Sequence, residues 1–201
     1  MSEQARYRRL YDRLAPVYAP AMRLFPMWRR YTEATLPWLP ISGAILEIGP
    51  GPGVLHRTLA ARHAFTAALD LSPRMLAQAQ RRLRAAGLPP RLVRGNAVRL
   101  PFAAKSFDGV VLTFTFSAIP QGQAAIDEMA RVLRPGGVIA LVDACQPEDG
   151  SRIARWLARL WELFGDFMRD EAALMRAAGL VIDERHGAGG VESARQRCAD
   201  R

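Results

Sequence analysis

Cysteine is scarce in this 201-residue chain. Cys145 and Cys198 are the only two and lie far apart. That excludes a disulfide scaffold and fits a reduced, cytoplasmic protein. Histidine is nearly as rare, at three residues. No H-E-x-x-H pairing occurs, and no metal site is expected. No apolar run approaches the roughly 18 residues of a membrane-spanning helix. Arg6, Arg8 and Arg9 have no apolar stretch behind them, so the N-terminus does not read as a secretory signal. A G-x-x-x-x-G-K-[ST] phosphate loop is missing, as are internal repeats and low-complexity segments.

Lysine is almost absent. Lys105 is the single lysine among 28 basic residues, and the formal net charge is +9. That charge leaves a nucleic-acid or RNA-modifying role open as an alternative. The arginines, however, are scattered over the whole chain on presumed helix faces, which argues against a dedicated nucleic-acid surface. Half of the residues are hydrophobic, enough for one domain with a sizeable core and too few residues for two.

What the chain does contain is a glycine-rich corner. Residues 45–53 read I-L-E-I-G-P-G-P-G. Ile45, Leu46 and Ile48 suit a buried parallel strand. Gly49, Gly51 and Gly53 follow at alternate positions, and residues 54–62 read as a helix. Strand, glycine turn and helix in that order form a nucleotide-type binding corner, where bare backbone lets a ligand approach closely. The dinucleotide fingerprint G-x-G-x-x-G fails here. Its last glycine would fall on Val54 or His56, which disfavours a nicotinamide oxidoreductase. Pro50 and Pro52 also remove two backbone donors that could face a pyrophosphate.

Later segments continue the alternation of strand and helix. Residues 65–70 read as a second strand, with Asp70 at its C-terminal end, where open α/β sheets bind ligands. Asp70 can accept from both hydroxyls of a ribose; the alternative is a helix cap, although Ser72-Pro73 already supplies one. Residues 73–86 form a helix closed by Gly87. Residues 91–94, 107–113 and 138–142 read as strands. Asp143 follows on the ligand edge and is a candidate substrate contact or base, or else a turn residue. Asp108 opens its strand, away from that edge, and reads as structural. Residues 180–185 and 191–197 read as two last strands, and His186 is the second candidate base. His56 and His63 fall on the first helix of the corner and read as solvated or at its C-terminal end. At the front, residues 2–14 read as a helix broken by Pro16, and residues 21–36 as a second. Residues 152–168 form a two-faced helix with Trp156 and Trp161 on its apolar side and Arg152, Arg155 and Arg159 on the other. Its apolar side reads either as core or as an entrance for a lipophilic substrate.

Four stretches stand in register: E-I-G-P-G-P-G at 47–53, A-L-D-L-S-P-R-M-L at 68–76, G-N-A-V-R-L-P-F-A-A-K-S-F-D at 95–108 and R-V-L-R-P-G-G at 131–137. Together they resemble the class I S-adenosylmethionine-dependent methyltransferases, in the small-molecule branch with the ubiquinone/menaquinone C-methyltransferases. The likeness covers roughly residues 40–145. It implies a Rossmann-like α/β fold with a mainly parallel seven-stranded sheet and helices on both faces. It also implies N-terminal cap helices over residues 1–40 and a single cofactor-binding domain over residues 41–201. Further, it implies S-adenosylmethionine as cofactor and cofactor contacts at Glu47, Gly49, Gly51, Gly53, Asp70, Leu71, Met75, Asn96, Ala97, Thr113 and Thr115. The family usually has Asp at the place of Asn96, beside the adenine amino group. Asn keeps the carbonyl acceptor. The loop 114–120 should meet the methionyl end of the cofactor and the acceptor; it is largely apolar and lacks the Arg-Asn pair of the quinone enzymes. A small, lipophilic acceptor and peripheral membrane contact are the resulting expectations.

Overall fold

The run A-I-L-E-I forms the central strand β1 (Ala44–Ile48), with Ile45 to Ile48 all buried. The computed structural model describes residues 3–24, 26–144, 169–188 and 191–198. β1 lies between β2 (Phe65–Asp70) and β4 (Phe107–Thr113), parallel to both. β3 (Leu92–Arg94) extends the sheet beyond β2, and β5 (Leu133–Ala144) extends it beyond β4, again in parallel. The antiparallel hairpin of β6 (Leu180–Ala188) and β7 (Val191–Cys198) pairs with the outer edge of β5 through β7. The five parallel strands carry all their C-terminal ends to one edge.

Side-chain alternation in the buried strands splits the core into two layers. Leu46, Ile48, Val110, Leu112, Ile139 and Leu141 pack toward Ile126 and Met129 of α5 (Gly122–Val132). Ile45, Val111 and Ala140 face the other way, onto Leu55 and Leu59 of α3 (Val54–Arg62). The sheet therefore carries helices on both faces.

Local signals set the helix limits. Ser72 caps α4 (Pro73–Ala85) by accepting from the Met75 N–H at 3.1 Å, and Pro73 sits in the first turn. Gly87, at φ +68, closes the helix while the Leu88 N–H donates to the Leu83 carbonyl. Asp170 caps α6 (Glu171–Ala177) through the Ala173 N–H at 2.9 Å. Asp108 at the start of β4 is structural, as its position implies. It accepts from the Ala44 N–H at 2.7 Å and pairs with Arg134 at 2.5 Å.

The front of the chain departs from expectation. α1 (Glu3–Leu24) runs straight through Pro16 and Pro20, followed by α2 (Pro26–Glu33). A proline inside a helix costs about 3 kcal/mol and leaves one carbonyl without its helical partner. For Pro16 that carbonyl is the one of Asp12, and Arg74 Nη1 of α4 donates to it at 3.3 Å. Gln78 of α4 donates to the Ala15 carbonyl at 2.6 Å, and Ala15 is only 1% exposed. Docking on α4 thus offsets what the proline removes. The expected helix at 152–168, with Trp156 and Trp161, lies outside the described residues.

Candidate functional site

The glycine turn begins where β1 ends. Gly49, Gly51 and Gly53 all have positive φ, at 70°, 51° and 76°, a region that costs glycine nothing and other residues much. The Gly49 N–H donates to the Leu69 carbonyl at 2.8 Å, which ties the turn to β2. A Cβ on Gly49 would lie 2.3 Å from Thr115, and one on Gly53 would lie 2.8 Å from Ala79. Both positions therefore exclude side chains. Arg82 of α4 donates to the Pro52 carbonyl and fixes the far side of the turn.

Asp70 closes one flank. Its Oδ2 accepts from the Gly51 N–H at 3.1 Å and its Oδ1 from the Ser72 N–H at 2.8 Å. Burial pushes its pKa up to about 6, with the Glu47 charge adding to that, against the lowering by the Ser72, Gly51 and Leu71 N–H groups. These N–H groups leave lone pairs of the carboxylate for hydroxyl donors.

Glu47 lies 1% exposed in β1 and shares a 2.9 Å hydrogen bond with His56 Nδ1 of α3. An ionised carboxylate can only accept, which assigns the shared proton to Nδ1. The Nε2 of His56 is buried with no hydrogen-bond partner among the described residues. His56 is thus fully buried, against the sequence expectation of a solvated residue. The cause is tertiary: the tight glycine turn folds the first turn of α3, with His56, back over Glu47 of β1. His63 does cap the C-terminal end of α3, as expected.

The opposite flank is the loop after β4. Thr115 Oγ1 donates to the Gly49 carbonyl at 3.3 Å and the Thr113 carbonyl at 3.1 Å. Ser117 donates its N–H to Asp143 Oδ2 at 2.8 Å and its hydroxyl to Oδ1 at 2.7 Å. Arg169 donates to the Ile119 and Pro120 carbonyls at 2.6 and 2.7 Å, above the Phe116 ring. Phe116 and Ile119 are core residues, not open loop surface, so only part of this apolar loop can face a ligand. Phe114 stands at φ +51, a left-handed conformation that costs a bulky residue roughly 1–3 kcal/mol.

Other expected site residues take defined places. Met75 and Ala97 are buried, while Leu71, Asn96 and Thr113 are half-buried. Asn96 Oδ1 accepts from the Val98 N–H at 3.2 Å. The Leu100–Phe102 segment is held by α5, with the Leu100 N–H on Glu128 and both carbonyls on Arg131. His186 belongs to β6 and pairs with Ser193, which in turn pairs with Val142. It therefore stands two strand spacings from β5, about 10 Å. Sequence reading missed Asp12, whose Oδ1 accepts from the Ser72 hydroxyl at 2.6 Å and brings α1 to the Asp70 corner. Among the described residues no group of three or more possible metal ligands occurs, and no helix is long and apolar enough to cross a membrane.

A methyltransferase-domain family profile matches residues 46–141, from β1 to β5. The ubiquinone/menaquinone biosynthesis C-methyltransferase of Syntrophotalea carbinolica is 34% identical over 182 residues, covering 88% of this chain and 73% of that enzyme. The chain belongs to the class I S-adenosylmethionine-dependent methyltransferases. A demethylmenaquinone methyltransferase of a Parafrankia species is 35% identical over 60% of this chain; the chain spans about half of that relative, 53% of its length. A geranyl diphosphate methyltransferase solved with geranyl diphosphate and sinefungin superposes with a TM-score of 0.78. It is 15% identical and covers 98% of this chain and 100% of its own. A Thermotoga maritima methyltransferase also reaches 0.78, at 21% identity over 95% and 99% of the two chains. These two likenesses concern the fold. As a methyltransferase of this class the chain uses S-adenosylmethionine, and the corner fits that cofactor on its own chemistry. Bare glycine backbone adjoins a half-buried carboxylate with acceptor capacity left over.

Proposed function

We propose that this methyltransferase modifies a small, lipophilic acceptor of the quinone, lipid or secondary-metabolite type. The cofactor supplies a methyl group already made electrophilic by its sulfonium, so the chain's task is to orient the acceptor and exclude water. The observation that carries the site is Asp70, a carboxylate at the end of β2 whose Oδ2 accepts from the Gly51 N–H of the glycine turn at 3.1 Å. It takes the ribose diol. Glu47, held by His56, offers an acceptor to the cationic amino-acid end. Asn96 and Ala97, with the Leu100–Phe102 segment, border the adenine, and Leu71 and Met75 shape the floor beside the ribose. Gly49, Gly53, Thr113 and Thr115 set the turn and the loop facing it.

Support for a lipophilic acceptor comes from the names of the sequence relatives and from Phe114 at the loop. Asp143 has both oxygens engaged by Ser117, so it serves as a positioning residue for the loop. His186, two strands out, stands as the remaining candidate base. We read the β6–β7 hairpin as completing a seven-stranded sheet. Residues 1–40 are read as a cap over the domain at 41–201, and the chain as cytoplasmic with peripheral contact to a membrane surface. The test is calorimetry with S-adenosylmethionine, its demethylated product and NADH, followed by methyl transfer from labelled cofactor to prenylated quinols and to RNA. Transfer to RNA alone would overturn the lipophilic acceptor.

A further inference from the structure

Arginines occur along the whole chain, yet their excess over acids does not. Residues 51–107 carry ten basic residues and one acid, Asp70, while the rest of the chain carries eighteen of each sign. Exposure sharpens the asymmetry. Among the side chains that the structure describes, the exposed acids are Asp127 and Asp170. Asp127 lies on α5, and Asp170 caps α6, which packs against α5. The crossovers through α3 and α4 run one way along the sheet, and the crossover through α5 runs the other way. Right-handed connections therefore place α3 and α4 on the face opposite α5. Among the described side chains that face has no exposed acid.

Two helices turn arginine stripes outward there. On α4, Arg74, Arg81 and Arg84 are exposed opposite the buried Met75, Ala79 and Leu83. On α1, Arg6, Arg9 and Arg13 recur at i, i+3 and i+7, exposed opposite the buried Tyr7 and Ala15. Arg74 reaches the Asp12 carbonyl at 3.3 Å, so the two stripes meet. α1 also crosses the ligand edge. Its Tyr7 acts electrostatically on Arg169, which holds the loop after β4, and its Asp12 bonds Ser72 beside Asp70. No ion pair neutralises any of the six arginines among the described residues. The exposed large hydrophobic residues, Ile41, Val54, Phe65 and Val181, lie on neither helix. The stripes thus offer guanidinium forks, which bind phosphate through paired hydrogen bonds, without the aromatic platform on which single-stranded nucleic acid stacks.

We propose that the outer faces of α1 and α4 form a docking surface for an anionic phospholipid bilayer, which holds the ligand edge at the membrane. The choice of a bilayer rests on the reading of the acceptor as lipophilic, because such a molecule dissolves in lipid. With no apolar wedge the contact is electrostatic, so salt reverses it. The probe is flotation with vesicles of equal parts phosphatidylglycerol and phosphatidylcholine at about 0.1 M salt. Wild type should bind these vesicles, release them at about 0.5 M salt, and ignore vesicles of phosphatidylcholine alone. Two charge-matched variants separate the surface from net charge. R9Q/R81Q/R84Q should bind at least tenfold more weakly. R99Q/K105Q/R176Q, neutralised on the α5 side, should bind within about threefold of wild type. Glutamine keeps helix propensity, so both should melt within about 2 °C of wild type. Should the first variant fail to fold, R81Q/R84Q against R99Q/R176Q carries the comparison. Equal losses in both variants, or no binding by wild type, overturn the surface. Wild type that binds poly(U) RNA and not the vesicles assigns the stripes to nucleic acid and overturns the bilayer. Methyl transfer to prenylated quinols in neutral detergent is read apart from docking, and its absence sinks the lipophilic acceptor whatever the vesicles show.

Discussion

At the scale of single residues the site is a set of buried polar groups whose partners are mostly backbone. Asp70 has a pKa raised to about 6, led by burial, and the sign of its effect can be worked out. Below pH 6 the folded chain holds this proton more tightly than the unfolded chain does, so the group's own contribution to stability declines as pH rises from about 4 to 6. On the proposed ribose contact, cofactor binding runs the other way, because the hydroxyls donate to the ionised carboxylate. Affinity for S-adenosylmethionine should be about tenfold weaker at pH 5 than at pH 7, and nearly flat over that range in Asp70→Asn. A wild-type dissociation constant without pH dependence would move the ribose contact elsewhere. His56 yields a second expectation. His56→Leu leaves the buried Glu47 carboxylate without its 2.9 Å donor, at a cost of about 1–3 kcal/mol. For a domain of this size that is a fall in melting temperature of roughly 2–12 °C, read by calorimetric scanning. The place of Asp70 at the end of β2 beside the glycine turn was legible in the sequence, because strand ends and glycine turns have local signatures. The Glu47–His56 pair was not. Nothing in the spacing shows that α3 folds its first turn onto β1.

Among the elements, strands were easier to read than the front helix. Ile45 to Ile48 and Gly109 to Leu112 are near-continuous apolar runs because both faces of the sheet are covered, and parallel pairing follows from the intervening helices. Pro16 misled because its cost is local while the compensation is tertiary. Arg74 and Gln78 reach α1 from residues some sixty positions away. The same contacts make α1 a strap on the Asp70 corner, with Asp12 bonded to Ser72. Asp12→Ala removes that bond, worth about 1 kcal/mol. The expected result is faster amide exchange along α1 with the exchange of β1 and β4 unchanged. Equal protection of α1 in both proteins would show that Asp12 contributes nothing to its docking.

For the whole molecule, ligand linkage gives the broadest test. A ligand that binds only the folded chain stabilises it by about 2.7 kcal/mol at a hundred times its dissociation constant. At roughly 2–4 °C per kcal/mol, the demethylated cofactor product should raise the melting temperature by about 5–11 °C. NADH should not, because the glycine turn lacks the dinucleotide spacing and two of its positions are prolines without N–H donors. A chain at +9 attracts anions of every kind. The scans therefore belong at about 0.3 M salt, where the screening length is about 6 Å. Under those conditions Asp70→Ala loses hydrogen bonds worth on the order of 1.5–3 kcal/mol each. Its affinity should drop at least tenfold, and most of the product-induced shift should vanish while the ligand-free melting temperature stays near wild type. Gly51→Val should abolish the shift as well, since a branched side chain at φ +51 both strains the turn and covers backbone the ligand must touch. A shift with NADH and none with the product would contradict the assignment of this corner to S-adenosylmethionine.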